Sequence, residues 1–99
     1  MTTVNNATIV DVRTPAEFEG GRFPNALNIP FDELPQRLDE FKNMKQPVIA
    51  YCQSGNRSGI AVAFLKQAGL LNVENGGALD NLLQLNKINY DDKFFQGPF

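Results

Sequence analysis

The chain has 99 residues, with nine Lys and Arg against eleven Asp and Glu for a net charge of -2, one cysteine and no histidine. That length suits one domain with a modest core, and the evenly mixed charges give a nucleic acid or an anionic membrane no basic patch to meet. One cysteine closes no internal disulfide, and the lack of histidine argues against ordinary zinc sites and any Ser–His or Cys–His catalytic pair.

In chain order, Ala7 to Arg13 reads as a strand, with Ile9, Val10 and Val12 giving the near-continuous apolar run of a buried parallel strand. Thr14 is placed to cap a short helix with Pro15 at its first position and Glu17 as the capping-box partner. Gly20-Gly21 stops that helix. Ala26 to Ile29 is a candidate short strand ended by Pro30. Asp32 can cap a helix from Glu33 to about Met44, with Pro35 in the first turn and Leu34, Leu38 and Phe41 on one face. Pro47 to Tyr51 is the clearest strand, and a loop begins at Cys52. Residues 57–68 read as a helix in which Ile60 and Phe64 share a face beside Ala61, Leu65 and Ala68, closed by Gly69. Leu71 to Glu74 suggests a further strand. Gly76-Gly77 turns into a last helix with Leu79, Leu82, Leu83 and Asn86 on one side. Residues 87–99 carry four aromatics without a period and read as a strap over the core or a partly disordered tail.

Strands alternating with helices predict an α/β fold, a small parallel sheet covered by helices on both faces. One domain is expected, its core over residues 8–86. No apolar run is long enough for a membrane span. The N-terminus lacks the pattern of a secretion signal, so the expected compartment is cytoplasmic, or periplasmic if a leader has been removed.

The stretch Cys52-Gln53-Ser54-Gly55-Asn56-Arg57-Ser58 is where chemistry is expected. Parallel sheets build sites beyond the carboxyl ends of their strands. A solitary cysteine is commonly a small core residue, but this one is followed by a turn, a cation and a helix start. Gly55 permits a backbone angle that turns N–H groups toward one point, an anion nest. The helix end adds partial positive charge and Arg57 a full one. All three favour thiolate over thiol and predict a depressed pKa.

Four stretches stand in order along the chain: Asp11-Val12-Arg13-Thr14-Pro15-Ala16-Glu17-Phe18, residues 22–30 (RFPNALNIP), the Cys52 loop, and Asn75-Gly76-Gly77. In these the chain resembles the single-domain rhodaneses, thiosulfate sulfurtransferases, over about residues 8–86, and is closest to their small stress-associated or periplasmic forms. The resemblance implies that Cys52 is the nucleophile and persulfide carrier, that residues Gln53 to Arg57 wrap the outer sulfur with N–H groups, and that Ser58 sets the helix start. Asp11, Arg13 and Glu17 are implied as supporting residues. The implied substrates are a small sulfur-containing anion such as thiosulfate and a thiophilic acceptor, cyanide in the laboratory or a protein, with no cofactor, no metal and a monomer as the expected state. The chain departs from the family pattern at Arg22, where histidine is usual, at Asn25, where glycine is usual, and at Leu82, near the usual tryptophan. It also begins close to the first motif, without the usual preceding strand and helix.

Two other readings share the loop. A cysteine phosphatase or arsenate reductase also closes a cysteine loop on arginine, but related phosphatases have one residue more than the four between Cys52 and Arg57, leaving room for a tetrahedral oxyanion. A non-catalytic sulfur-relay or binding module would use the same thiol with a protein partner.

Overall fold

The computed structural model of the chain describes residues 7–84. Four parallel strands form one sheet in the order β2-β1-β3-β4, with β1 at Thr8–Asp11, β2 at Leu27–Asn28, β3 at Val48–Cys52 and β4 at Val73–Ala78. The helices are α1 at Pro15–Glu19, α2 at Leu38–Lys42, α3 at Asn56–Gln67, and α4, which occupies residues 79–84 of the described chain. Asn86 and the aromatic residues 87–99 lie outside the described residues. No helix among the described residues is long and apolar enough to cross a membrane.

Strand side chains alternate between the two faces of the sheet. On one face Val10, Val12, Val48, Ala50 and Cys52 pack with Phe41 of α2 and with Ala61, Val62 and Leu65 of α3. On the other, Ile9, Ile49 and Tyr51 pack with Phe23, Ala26 and Leu82. Helices on both faces are therefore the observed architecture, and the central strand β3 is buried at every residue because both of its faces are covered. The alternation puts Cys52 toward α3 and sends Tyr51 and Asp11 to the opposite side.

The α1 cap forms as its residues dictate. Thr14 Oγ1 accepts from the Glu17 N–H at 3.2 Å while Glu17 Oε1 accepts from the Thr14 N–H at 3.0 Å. Asn25 takes φ +65°, a left-handed angle that asparagine tolerates better than most side chains, so the chain keeps the turn that a glycine would make there.

Three local expectations need correction. The helix over 33–44 is instead two 3-10 turns, Phe31–Glu33 and Pro35–Arg37, followed by the short α2. Pro35 has no N–H to give the Phe31 carbonyl, and the chain tightens around it through three-residue bonds from Leu34 N–H to Phe31 O and from Arg37 N–H to Leu34 O. The buried stripe of α3 is Ser58, Ala61, Val62 and Leu65, while Ile60 is 60% exposed. The seryl group at 58 belongs to that stripe, and counting apolar residues alone rotated the helix. Finally, β4 begins later and runs longer than Leu71–Glu74. It carries a bulge, since Ala50 pairs with Asn75 and Tyr51 with Gly77, leaving Gly76 as the extra residue. A side chain at Gly76 would meet Ile49 Cγ2 at 2.8 Å.

The second face hides one polar network. Tyr51 Oη donates to Asp11 Oδ2 at 2.8 Å and accepts from the Phe23 N–H at 3.0 Å. Burial pushes the Tyr51 phenol up to about 12. Tyr51→Phe keeps the ring but leaves a buried N–H and a carboxylate lone pair unmade. We expect it to cost about 1–3 kcal/mol, read as a lower urea midpoint at unchanged slope.

Candidate active site

Strand β3 ends at Cys52 and α3 starts at Asn56, so three residues reverse the chain at the carboxyl edge of the sheet. Gly55 makes this possible with φ +97°, a region that costs other residues energy. A Cβ there would come into van der Waals contact with Gly77 Cα at 3.4 Å, so the backbone angle rather than space is what calls for glycine. The reversal points two backbone donors at Cys52 Sγ, Gly55 N–H at 2.9 Å and Ser58 N–H at 3.4 Å. Ser58 Oγ lies 3.4 Å from the sulfur.

Ser58 has one hydroxyl proton and three acceptors within reach: Asn75 Oδ1 at 2.7 Å, Gly55 O at 3.2 Å and Cys52 Sγ. Asn75 is fixed in orientation, because its Oδ1 accepts the Gly77 N–H at 2.9 Å and its Nδ2 donates to Gly55 O at 3.3 Å. The bulge of β4 thus holds an amide that clamps both Gly55 and Ser58.

Cys52 is fully buried. Burial pushes its thiol up, but hydrogen bonds from the Ser58 hydroxyl and from the N–H groups of Ser58, Gly55 and Ser54 outweigh this and hold it below the ordinary value. The direction matches expectation; the source differs in part. Arg57 gives its hydrogen bonds to Glu17, Nη1 to Oε1 at 2.9 Å and Nη2 to Oε2 at 3.0 Å. The Arg57 partner brings the Glu17 carboxyl down to about 2, helped by the Thr14 N–H. Glu17 is both the helix cap and a partner of the loop.

Asp11 and Arg13 do lie beside the loop, from the other face. Asp11, fully buried, accepts from the Arg13 backbone N–H at 2.8 Å and from its guanidinium at 2.7 Å. Arg13 in turn donates from Nη1 to Gln53 Oε1 at 3.2 Å and from Nη2 to Gly21 O at 2.6 Å. The side chains of Ser54 and Asn56 are exposed, and Ser54 Oγ accepts the Asn56 N–H at 3.4 Å. Arg22 stacks outside the site, 4.5 Å from the Phe18 ring centroid. A cleft of about 170 Å³ opens beside the loop, lined by Val12, Thr14, Pro30, Phe31, Asp32 and Arg57.

Two residues that position the site were not singled out from sequence. Tyr51 was readable only as a strand residue, although a phenol in a fully buried aliphatic strand requires a polar partner. Asn75 was visible beside its glycines, but nothing local indicates that its amide reaches Ser58 across the sheet.

The rhodanese-like domain family matches residues 1–78. The chain belongs to that family. It is 45% identical over 69 residues to the uncharacterized protein YqhL of Bacillus subtilis, covering 70% of this chain and 54% of that one. It is 44% identical over 71 residues to a sulfurtransferase of Allochromatium vinosum, covering 69% and 65%. The chain therefore spans between half and two thirds of the length of these relatives. Its fold superposes on a rhodanese with anions from E. coli with a TM-score of 0.70 at 33% identity, covering 76% of this chain and 89% of that one.

Removing the clamp should raise the thiol pKa. For Ser58→Ala, which removes the hydroxyl hydrogen bond to the sulfur, we expect the inflection of iodoacetamide alkylation rate against pH to move upward, with thiolate reactivity recovered at high pH.

Proposed function

We propose that this rhodanese-family domain is a sulfurtransferase that carries sulfane sulfur from thiosulfate or a similar donor to a thiophilic acceptor as a persulfide on Cys52. The observation that carries this reading is the convergence of the Gly55 and Ser58 N–H groups on a buried sulfur. The resemblance to the A. vinosum sulfurtransferase supports it. So does the likeness to a rhodanese solved with anions, since a nest of this kind suits an anionic ligand.

In the first step the Cys52 thiolate attacks the outer sulfur of thiosulfate. A new S–S bond forms, the donor's S–S bond breaks with its electron pair, and sulfite leaves. The anionic outer sulfur of the resulting persulfide is taken up by the loop N–H groups of residues 53–57. In the second step an acceptor, cyanide or a thiol, attacks that outer sulfur and the Cys52 thiolate is restored. The loop donors that hold the Cys52 thiol below its ordinary value favour the thiolate that attacks, in place of a base; catalysis is covalent with electrostatic support. Ser58 and Asn75 hold the loop, Arg13, itself held by Asp11, donates to Gln53, and Glu17 fixes Arg57. The loop spacing, four residues between Cys52 and Arg57, favours a single sulfur atom over a tetrahedral phosphate.

Intact mass after brief thiosulfate exposure tests the reading. We expect a gain of one sulfur atom, erased by cyanide and absent in Cys52→Ala. Loading should be full above the depressed Cys52 pKa and be lost as pH falls through it, since only the thiolate attacks. A folded protein that takes no sulfur from thiosulfate or from any other sulfane donor would overturn it.

A further inference from the structure

The two cations that flank the loop are both already matched. Arg13 is neutralised by the buried Asp11 at 2.7 Å. Arg57 is held by both oxygens of Glu17. Asp32 then adds a negative charge to the cleft that Arg57 lines. The loop mouth therefore offers backbone donors but no uncompensated cation from either arginine, and the nucleophile waiting there is itself an anion.

Glu17 is anchored for this task. Its Oε1 accepts the Thr14 N–H in the capping box at the start of α1, so the carboxylate stands still while Arg57 reaches it across 40 residues of chain. With its pKa brought to about 2 by Arg57, it stays charged throughout the ordinary pH range.

Resting on the sulfur-transfer reading, we propose that Glu17 is a specificity-determining residue: by cancelling Arg57 it disfavours the dianion thiosulfate and leaves a site suited to an uncharged sulfane donor, the protonated persulfide R–S–SH of a small thiol. Thiosulfate brings a sulfonate charge that finds no free guanidinium. A thiol persulfide brings only its sulfane sulfur to the N–H groups, and its organic stem meets the half-buried Phe31 of the cleft. The step balances without an oxidant. The Cys52 thiolate forms an S–S bond to the outer sulfur of R–S–SH, the R–S–SH bond breaks with its pair to release the thiolate R–S⁻, and the proton stays on the transferred sulfur.

Glu17→Gln isolates the charge, because glutamine can also close a capping box. The first measurement is thiosulfate affinity by calorimetry on Cys52→Ser and on Glu17→Gln/Cys52→Ser, where no turnover interferes. One elementary charge acting on a dianion at roughly 6 Å through near-aqueous dielectric changes affinity about tenfold. We expect that gain for Glu17→Gln at low ionic strength, shrinking at high salt. Equal or weaker affinity, or no binding by either protein, overturns the proposal. Arg57→Gln/Cys52→Ser, which unmasks Glu17, must bind thiosulfate more weakly than Cys52→Ser; tighter binding overturns it equally.

The second measurement keeps Cys52 and compares sulfur loading from thiosulfate with loading from the persulfide of 2-mercaptoethanol. The ratio of the two rates should shift about tenfold toward thiosulfate in Glu17→Gln, and an unchanged ratio overturns the assignment. Failure of Cys52 to take sulfur from either donor would strike the sulfur-transfer reading itself, while calorimetry would still decide what Glu17 does to a dianion.

Discussion

A buried sulfur ringed by hydrogen-bond donors is the constraint that organises this molecule. Cys52 has no exposed surface, and an ionised group in that position is tolerable only where donors replace water. No histidine exists to share the proton. The donors therefore come from backbone, and backbone donors converge only if the chain reverses within a few residues. That requirement explains the positive φ of Gly55, the immediate start of α3 and the seryl group on the buried side of its first turn. It also explains Asn75, whose amide nitrogen donates to the Gly55 carbonyl and whose Oδ1 lies 2.7 Å from the Ser58 hydroxyl. The bulge in β4 turns that amide toward α3.

The opposite face repeats the problem with a different solution. Asp11 is a buried carboxylate, and such a charge persists only when paired and hydrogen-bonded. Arg13 and Tyr51 meet it together, and through Gln53 the arginine carries that order to the loop. Two buried polar centres, one on each side of the sheet, thus converge on the same end of the same strands. Neither arginine near the loop stands free, so the loop presents oriented N–H groups rather than net positive charge.

Much of this was legible because strong local signals agreed with the global fold. Apolar runs at Ile9 to Val12 and Val48 to Tyr51 announce buried parallel strands, and Thr14-Pro15 with Glu17 announces a capped helix. The abrupt change from strand to Gly and Arg after Cys52 marks the site. What was not legible depends on contacts distant in sequence. The pairing of Arg57 with Glu17 joins residues 40 positions apart, and the sequence invites the simpler reading that Arg57 serves the thiolate directly. Ser58 reads as polar, so its place in the buried stripe of α3 was hidden and Ile60 was turned inward. Pro35 looks harmless in a first helical turn, yet here it splits one expected helix into two 3-10 turns and a short α2.

The central claim is that backbone donors hold Cys52 as a thiolate despite its burial. The most direct measurement is the ultraviolet absorbance of the thiolate titrated against pH in the unmodified chain, with Cys52→Ala as the blank for the tyrosines. The account predicts a midpoint clearly below the ordinary cysteine value of about 8.5. A midpoint at or above that value would show that burial outweighs the loop donors, and the mechanism built on a ready thiolate would fall.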